Sequence, residues 1–282
     1  MNPRNIKNVA LDVVREAVAS KYLIVLFALI VIALAAMALA LDLEVVNGAI
    51  ATGKLFGGSF IGKGTTVGKG EFLGPVLAGM SHVVFYGGLA FMIVAVADIA
   101  PKMLAPGRVE LLLALPLRRS ELVIGIYCGV VIIALLAALL AIGGASLVLF
   151  VKVEIVTPAP LMGALAAMVG FCTIYGVMLA VAAGSRSAAL SAGAALMVYL
   201  AGVATSDRAL VLSLIRNGVT REVAAVAMGP LPRLTTLAQT GAEVAVGSPV
   251  DWSVALSVIG GCSAFGLFFV VLACIIVNIK DY

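Results

Sequence analysis

The sequence predicts an all-α integral membrane protein with six transmembrane helices and an amphipathic helix before the first. Three observations carry this. The 282 residues are 63% hydrophobic and 11% charged, against about 45–50% apolar and about 25% charged in a soluble domain. The apolar residues fall in blocks of 18 to 30, the length that crosses a bilayer, not the short runs of buried strands. Lys and Arg gather in alternate connecting segments, as the positive-inside rule requires.

The first element is the stretch of residues 1–21. Ile6, Val9, Ala10, Val13, Val14, Ala17 and Val18 recur at helical spacing, and Arg4, Lys7, Asp12, Arg15 and Glu16 take the other face. A helix patterned in this way lies in the headgroup plane; the alternative is that it continues the first span into the cytosol. The spans are expected at about residues 22–41, 75–97, 122–151, 161–183, 188–205 and 252–277. About 20 residues suffice for a core about 30 Å thick, so the 30-residue third block protrudes at one end. Ala36, Ala38 and Ala40 offer A-x-A patterns. The first block is nevertheless longer than a signal-peptide core and follows acidic residues, so it reads as an uncleaved span.

With the N-terminus inside, the inner segments hold Arg4, Lys7, Arg15, Lys21, Lys102, Arg108, Arg118, Arg119, Arg186 and Lys280. These are ten of the eighteen basic residues, in the shorter share of the loops. Both termini are therefore expected in the cytoplasm of a multi-pass protein of the cell membrane.

Residues 42–74 and 206–251 become external segments. The first is glycine-rich and reads as a flexible loop or a small hairpin pair. The second holds two apolar pieces, Ala209–Ile215 and Val223–Met228, interrupted by Asn217-Gly218, Pro230 and Pro232. Each is too short to span, and short re-entrant or interfacial helices are expected.

Candidate chemistry is sparse. Gly57–Gly64 reads GGSFIGKG, a G-x-x-x-x-G-K match with Gly64 where a P-loop needs Ser or Thr for magnesium. It lies in an external segment with no strand–helix context for a nucleotide. His82 is the one histidine, and Cys128, Cys172, Cys262 and Cys274 all sit within apolar blocks without metal-type spacing. They read as packing residues, and no metal, catalytic group or cofactor site is expected on this chain. Charges within the spans are nearly absent, which disfavours a proton- or sodium-driven carrier. The net charge of +4 is spread without a basic run, so no nucleic-acid partner is expected. Small residues at packing spacing, Gly125 and Gly129, Gly143 and Gly144, and Gly184, allow close helix approach within the chain or in a dimer.

The most informative segment joins the second and third spans: DIAPKMLAPGRVELLLALPLRRSELVIG, Asp98 to Gly125. It is short, mixed in polarity and punctuated by proline, the composition of a loop that docks something. Gly107, Glu110, Leu111, Leu112, Leu115, Pro116, Arg118, Arg119 and Gly125 follow a "G…E-LL-LP-x-R…G" pattern. In this the chain resembles the type-2 (ABC-2) family of ABC transporter permeases. It departs from the family in having Asp98 and Pro106-Gly107-Arg108 where an acidic pair and Gly-Thr often stand, and Gly125-Ile126 in place of Gly-Lys.

The resemblance implies that residues 1–21 form an elbow helix and that residues 98–121 form a cytoplasmic coupling loop with a short coupling helix. It implies docking of a separate ATPase through Asp98, Lys102, Arg108, Glu110, Leu111, Leu112, Pro116, Arg118 and Arg119. ATP and magnesium would then reside on that partner, present in two copies, and a second permease copy or homologue would complete the path among membrane lipids. The alternatives are a non-transporting scaffold or assembly subunit and, behind it, a secondary carrier.

Overall fold

A computed structural model describes residues 2–19, 21–46, 49–55, 58–59, 69–105, 107–109, 117–153, 159–204, 212–213, 221–222, 226, 228–229 and 231–280. Its elements are α1 (Pro3–Ala19), α2 (Tyr22–Ala40), β1 (Leu41–Val46), β2 (Ala49–Leu55), β3 (Gly58–Ser59), α3 (Lys69–Ala95) and α4 (Ile99–Met103). They continue with α5 (Arg119–Val153), α6 (Ala159–Ser185), α7 (Ala188–Ala204), α8 (Leu234–Val246) and α9 (Trp252–Ile279).

Each of the six apolar blocks falls on a helix. Leu77–Met103, Arg119–Lys152, Leu161–Ser185 and Trp252–Ile279 are long and apolar enough to cross a bilayer, which makes this a multi-pass helical membrane protein. The bent pair Pro3–Ala19 and Ile24–Ala36, meeting at 69°, would supply a fifth. The blocks expected as first and fifth spans lie on α2 and α7, of 19 and 17 residues. At 1.5 Å per residue, α7 is about 26 Å long, just short of the hydrocarbon thickness.

The helices form one core in which α6 is central, packed against α9, α3, α8, α7 and α5. The α6–α9 crossing brings two backbones into direct contact. An ideal Cβ on Gly176 would lie 2.5 Å from the Gly266 carbonyl oxygen, and one on Gly266 would lie 2.9 Å from Thr173 Cα. Thr173 Oγ1 lies 2.8 Å from the Val169 carbonyl and 3.0 Å from Cys262 O, and its one proton is shared between these two acceptors. Without a hydrophobic drive between helices in lipid, backbone contact at small residues and bridging hydroxyls hold such a pair.

Two expectations change here. The all-α class gives way locally to the hairpin pair that was one of the two readings of the glycine-rich segment, an antiparallel sheet of order β1-β2-β3: Leu41 pairs with Leu55, Val46 with Ala49, and Lys54 with Ser59. The GGSFIGKG match touches this sheet at Gly58–Ser59, and the rest of it lies outside the described residues. In the second segment, most of Ala209–Ile215 and Val223–Met228 likewise lies outside them. A 13-residue helix stands further on, at Leu234–Val246, where none was expected. Its buried residues Leu234, Leu237, Ala238, Gly241, Ala242 and Ala245 follow strict helical spacing. It packs between α6 and α3, with Gly241 against Ala166 and Ala245 clustered with Leu77. Gly247, at φ +78°, ends it: the Gly247 and Ser248 amides return to Val244 O and Glu243 O, a glycine C-cap.

The amphipathic face of α1 is buried on α5. Val9, Ala10, Val13 and Ala17 are buried, and an ideal Cβ on Gly125 would fall 2.5 Å from Val9 Cβ. One on Gly129 would fall 2.6 Å from Val13 Cβ. The GIYCG pair is thus a seat for α1 within the chain. Lys21, at φ +61°, turns the chain between α1 and α2, in the left-handed region that non-glycine residues seldom occupy. Gly144 takes Leu34 of α2 in the same way, while Gly143 and Gly184 meet nothing within 4 Å.

Candidate functional site

At the end of the bundle that carries α1, the loop after α4 and the last turns of α6 and α9, four charged contacts tie separate elements together. Their geometry follows from where helix ends leave unpaired backbone groups.

Glu121 is the first. In the stretch Arg118-Arg119-Ser120-Glu121 it sits at the third position of α5, and its Oε2 accepts the Arg118 amide at 3.2 Å. This is the acidic half of a capping box. The same carboxylate accepts the Asn2 amide at 2.7 Å and Asn5 Nδ2 at 2.9 Å, so it anchors the start of α1 as well. The side chain is only 2% exposed, yet it lies ahead of the apolar stretch that begins at Leu122. The Asn5 side chain first, then the Asn2 and Arg118 amides, hold its carboxyl down at about 2.

Arg108 is the second. Its guanidinium pairs with Glu16 at 3.1 Å and Asp12 at 3.5 Å, both on the polar face of α1. Val109, beside it, is fully buried, so the loop is held by one apolar and one ionic anchor. Arg119 is the third. Its Nη1, with two protons, faces the carbonyls of Lys280 at 2.7 Å and Asn278 at 3.0 Å, with Val277 O more distant at 3.4 Å. A cation at the start of α5 is drawn to the negative end of α9. Lys280 is the fourth: its Nζ donates to Ala183 O at 3.0 Å and to Gly184 O, closing the end of α6.

Of the nine residues expected to dock an ATPase, Arg108 reaches the C-terminal half of α1, whereas Arg118 and Arg119 stand beside Glu121, which holds the N-terminal end of α1. Asp98 and Lys102 form an i, i+4 pair at 3.2 Å on the exposed side of α4. Arg118 is exposed. Glu110, Leu111, Leu112 and Pro116 lie outside the described residues. Arg108 and Arg119 hold the fold together through their contacts, which sequence alone did not foresee. Asn2, Asn5, Glu121 and Lys280 escaped notice too. Glu121 was legible as a capping position, but the pairing of Lys280 with α6 leaves no local signal.

His82 Nδ1 lies 2.7 Å from Ala78 O, four residues back, so that nitrogen carries the proton, and the ring stacks on Tyr86 at 6.0 Å. It is a packed histidine. All four cysteines are free. Among the described residues, no group of three or more His, Cys, Asp or Glu is placed to hold a metal ion.

No family model and no curated protein matches this sequence. The reading of the site therefore rests on its own geometry.

Proposed function

We propose that this chain is the membrane-spanning permease subunit of an ATP-driven ABC transporter of the type-2 kind, an exporter whose ATPase is a separate cytoplasmic subunit. In this reading α2, α3, α5, α6, α7 and α9 make six crossings, α1 is the elbow helix, and both termini are cytoplasmic. Residues 98–121 receive the ATPase. A second permease, identical or related, completes a path lined by α2, α3 and α7. ATP and magnesium belong to the partner.

The observation that carries this reading is the set of charged contacts between the loop, α1 and α5. Arg108 ties the loop to α1, and Glu121 ties α1 to the start of α5. A push on residues 98–121 thereby reaches α1, and through Gly125 and Gly129 it reaches α5. A loop that merely returned the chain from one span to the next would need no such ties. The exposed apolar faces of α2, α3 and α7, with Ile32, Val83 and Met197, accord with an amphipathic or lipid-like cargo.

Purification from native membrane tests the proposal. An ATPase subunit with an intact P-loop should accompany this chain, and its ATP turnover should respond to amphipathic cargo. Arg118→Glu is the clean interface variant, because Arg119 is committed to α9, and it should release or uncouple that subunit. Isolation of this chain alone, or transport without ATP, would refute the reading. An ATPase that binds but ignores cargo would favour the scaffold.

A further inference from the structure

The segment Leu231–Arg233, which leads into α8, packs beside the middle of α9 and not at its end. Together with one face of α9 it walls a groove of about 750 Å³ that includes Leu231, Pro232, Arg233, Gly261, Phe265 and Phe268. Cys262, also on this groove, receives the Thr173 hydroxyl from the middle of α6. It lies ten residues, or about 15 Å, from the start of α9. At 28 residues, or about 42 Å, α9 exceeds a core about 30 Å thick by about 6 Å at each end. The Arg233 backbone thus stands about 9 Å inside the boundary, within reach of the headgroup layer for an extended arginine, although the sequence places it in an external segment.

A cation there demands an explanation. Ionisable side chains within the hydrocarbon are costly and mark binding sites or pathways. Among the described residues no carboxylate lies in ion-pair range of Arg233. It also occupies the N-cap of α8, whose side chain makes no capping hydrogen bond. The helix dipole makes this the positive end, so a cation at this position adds to positive potential instead of neutralising it. The walls are apolar: Phe268 is 63% exposed, and Gly261 forms a notch with nothing within 4 Å of an added Cβ. One positive charge at the head of an apolar channel complements one negative charge at the head of an aliphatic chain.

We infer that this groove binds an anionic phospholipid, its phosphodiester on Arg233 and one acyl chain laid over Gly261 toward Phe268. The guanidinium offers two parallel donors to phosphate oxygens and reaches toward the headgroup layer by extending its own stem. The inference is independent of the proposed transport function, since it concerns the lipid-facing side of α8 and α9.

Native mass spectrometry of the full chain in detergent, given equal amounts of phosphatidylglycerol and phosphatidylcholine, tests it. The anionic lipid should be retained about fivefold over the zwitterionic one, the preference one basic residue confers near a membrane surface. Arg233→Gln should abolish the preference, and Arg233→Lys should keep part of it. Gly261→Leu, whose Cβ would meet nothing within 4 Å, should displace bound lipid while the thermal unfolding of the protein stays unchanged. It carries the test if the Arg233 variants fail to fold. Equal retention of both lipids, or a preference that survives both Arg233→Gln and Gly261→Leu, would overturn the inference. So would a shift in oligomeric state on Gly261→Leu without any lipid preference in the unaltered protein.

Discussion

The seat of α1 on α5 allows a substitution that is mild by composition and severe by geometry. In Gly125→Ala/Gly129→Ala, each new methyl would stand 2.5 and 2.6 Å from Val9 Cβ and Val13 Cβ, with Ile6 O at 3.2 Å and Ala10 O at 2.9 Å. Carbon atoms in contact settle at about 3.5–4.0 Å, so α1 must retreat by about 1 Å along its whole length. Val9→Ala cannot relieve this, because the nearest atom at Gly125 is the Val9 Cβ itself. Overpacking costs about 1–3 kcal/mol per site, from which the better helix propensity of Ala subtracts up to about 1. Two rigid backbones face each other here, so the upper end applies, and the double variant should lose roughly 2–4 kcal/mol. Gly143→Ala meets nothing within 4 Å and should be neutral or gain up to about 1 kcal/mol. The assay is reversible unfolding in mixed micelles, paired with amide hydrogen exchange over Pro3–Ala19. The double variant should unfold earlier and exchange faster in α1, and the control should do neither. If the double variant matches the control in both, α1 is not seated on these glycines and the coupling route built on them fails.

Arg108→Glu should break both ion pairs to α1 and raise exchange over residues 98–109, at a stability cost of about 1 kcal/mol because the pairs are partly exposed. Asp12→Arg with Glu16→Arg should restore protection in that background, and absence of rescue would show that Val109 alone holds the loop. For Glu121, a folded carboxyl at about 2 against an ordinary 4.5 means that its contribution is complete above pH 4.5 and is lost as pH falls toward 2. Exchange at the start of α1 should therefore rise as pH drops through this window, after correction for the intrinsic rate, and should be flat in Glu121→Gln. A pH-independent difference between the two proteins would refute the carboxylate anchor.

Much of this architecture is legible without coordinates. Hydropathy sums along a chain, so six blocks of apolar residues locate six helices wherever they pack. The stripe from Val9 to Ala17 announces a face to be buried, and Asp251 before Trp252 marks a helix start that the structure caps at Ser253. Even α8 was readable: Leu234, Leu237, Ala238, Gly241, Ala242 and Ala245 form a regular stripe. The flanking prolines and the small residues hid it, since Ala and Gly give a weak apolar signal although they pack most closely.

The sequence by itself determined that a bilayer is the solvent, which stretches become helices, and which face of α1 seeks cover. Each of these is a local property, set by a residue and its neighbours one turn away. Only the tertiary structure decided that Val9 and Val13 meet Gly125 and Gly129 and not lipid. It also decided that Arg119 serves the end of α9, and that Arg233 is carried down to the level of Cys262 instead of staying at the surface. Those outcomes depend on which helix surfaces fit at close range, and that fit joins residues from 29 to more than a hundred positions apart. Spacing along the chain carries no record of it.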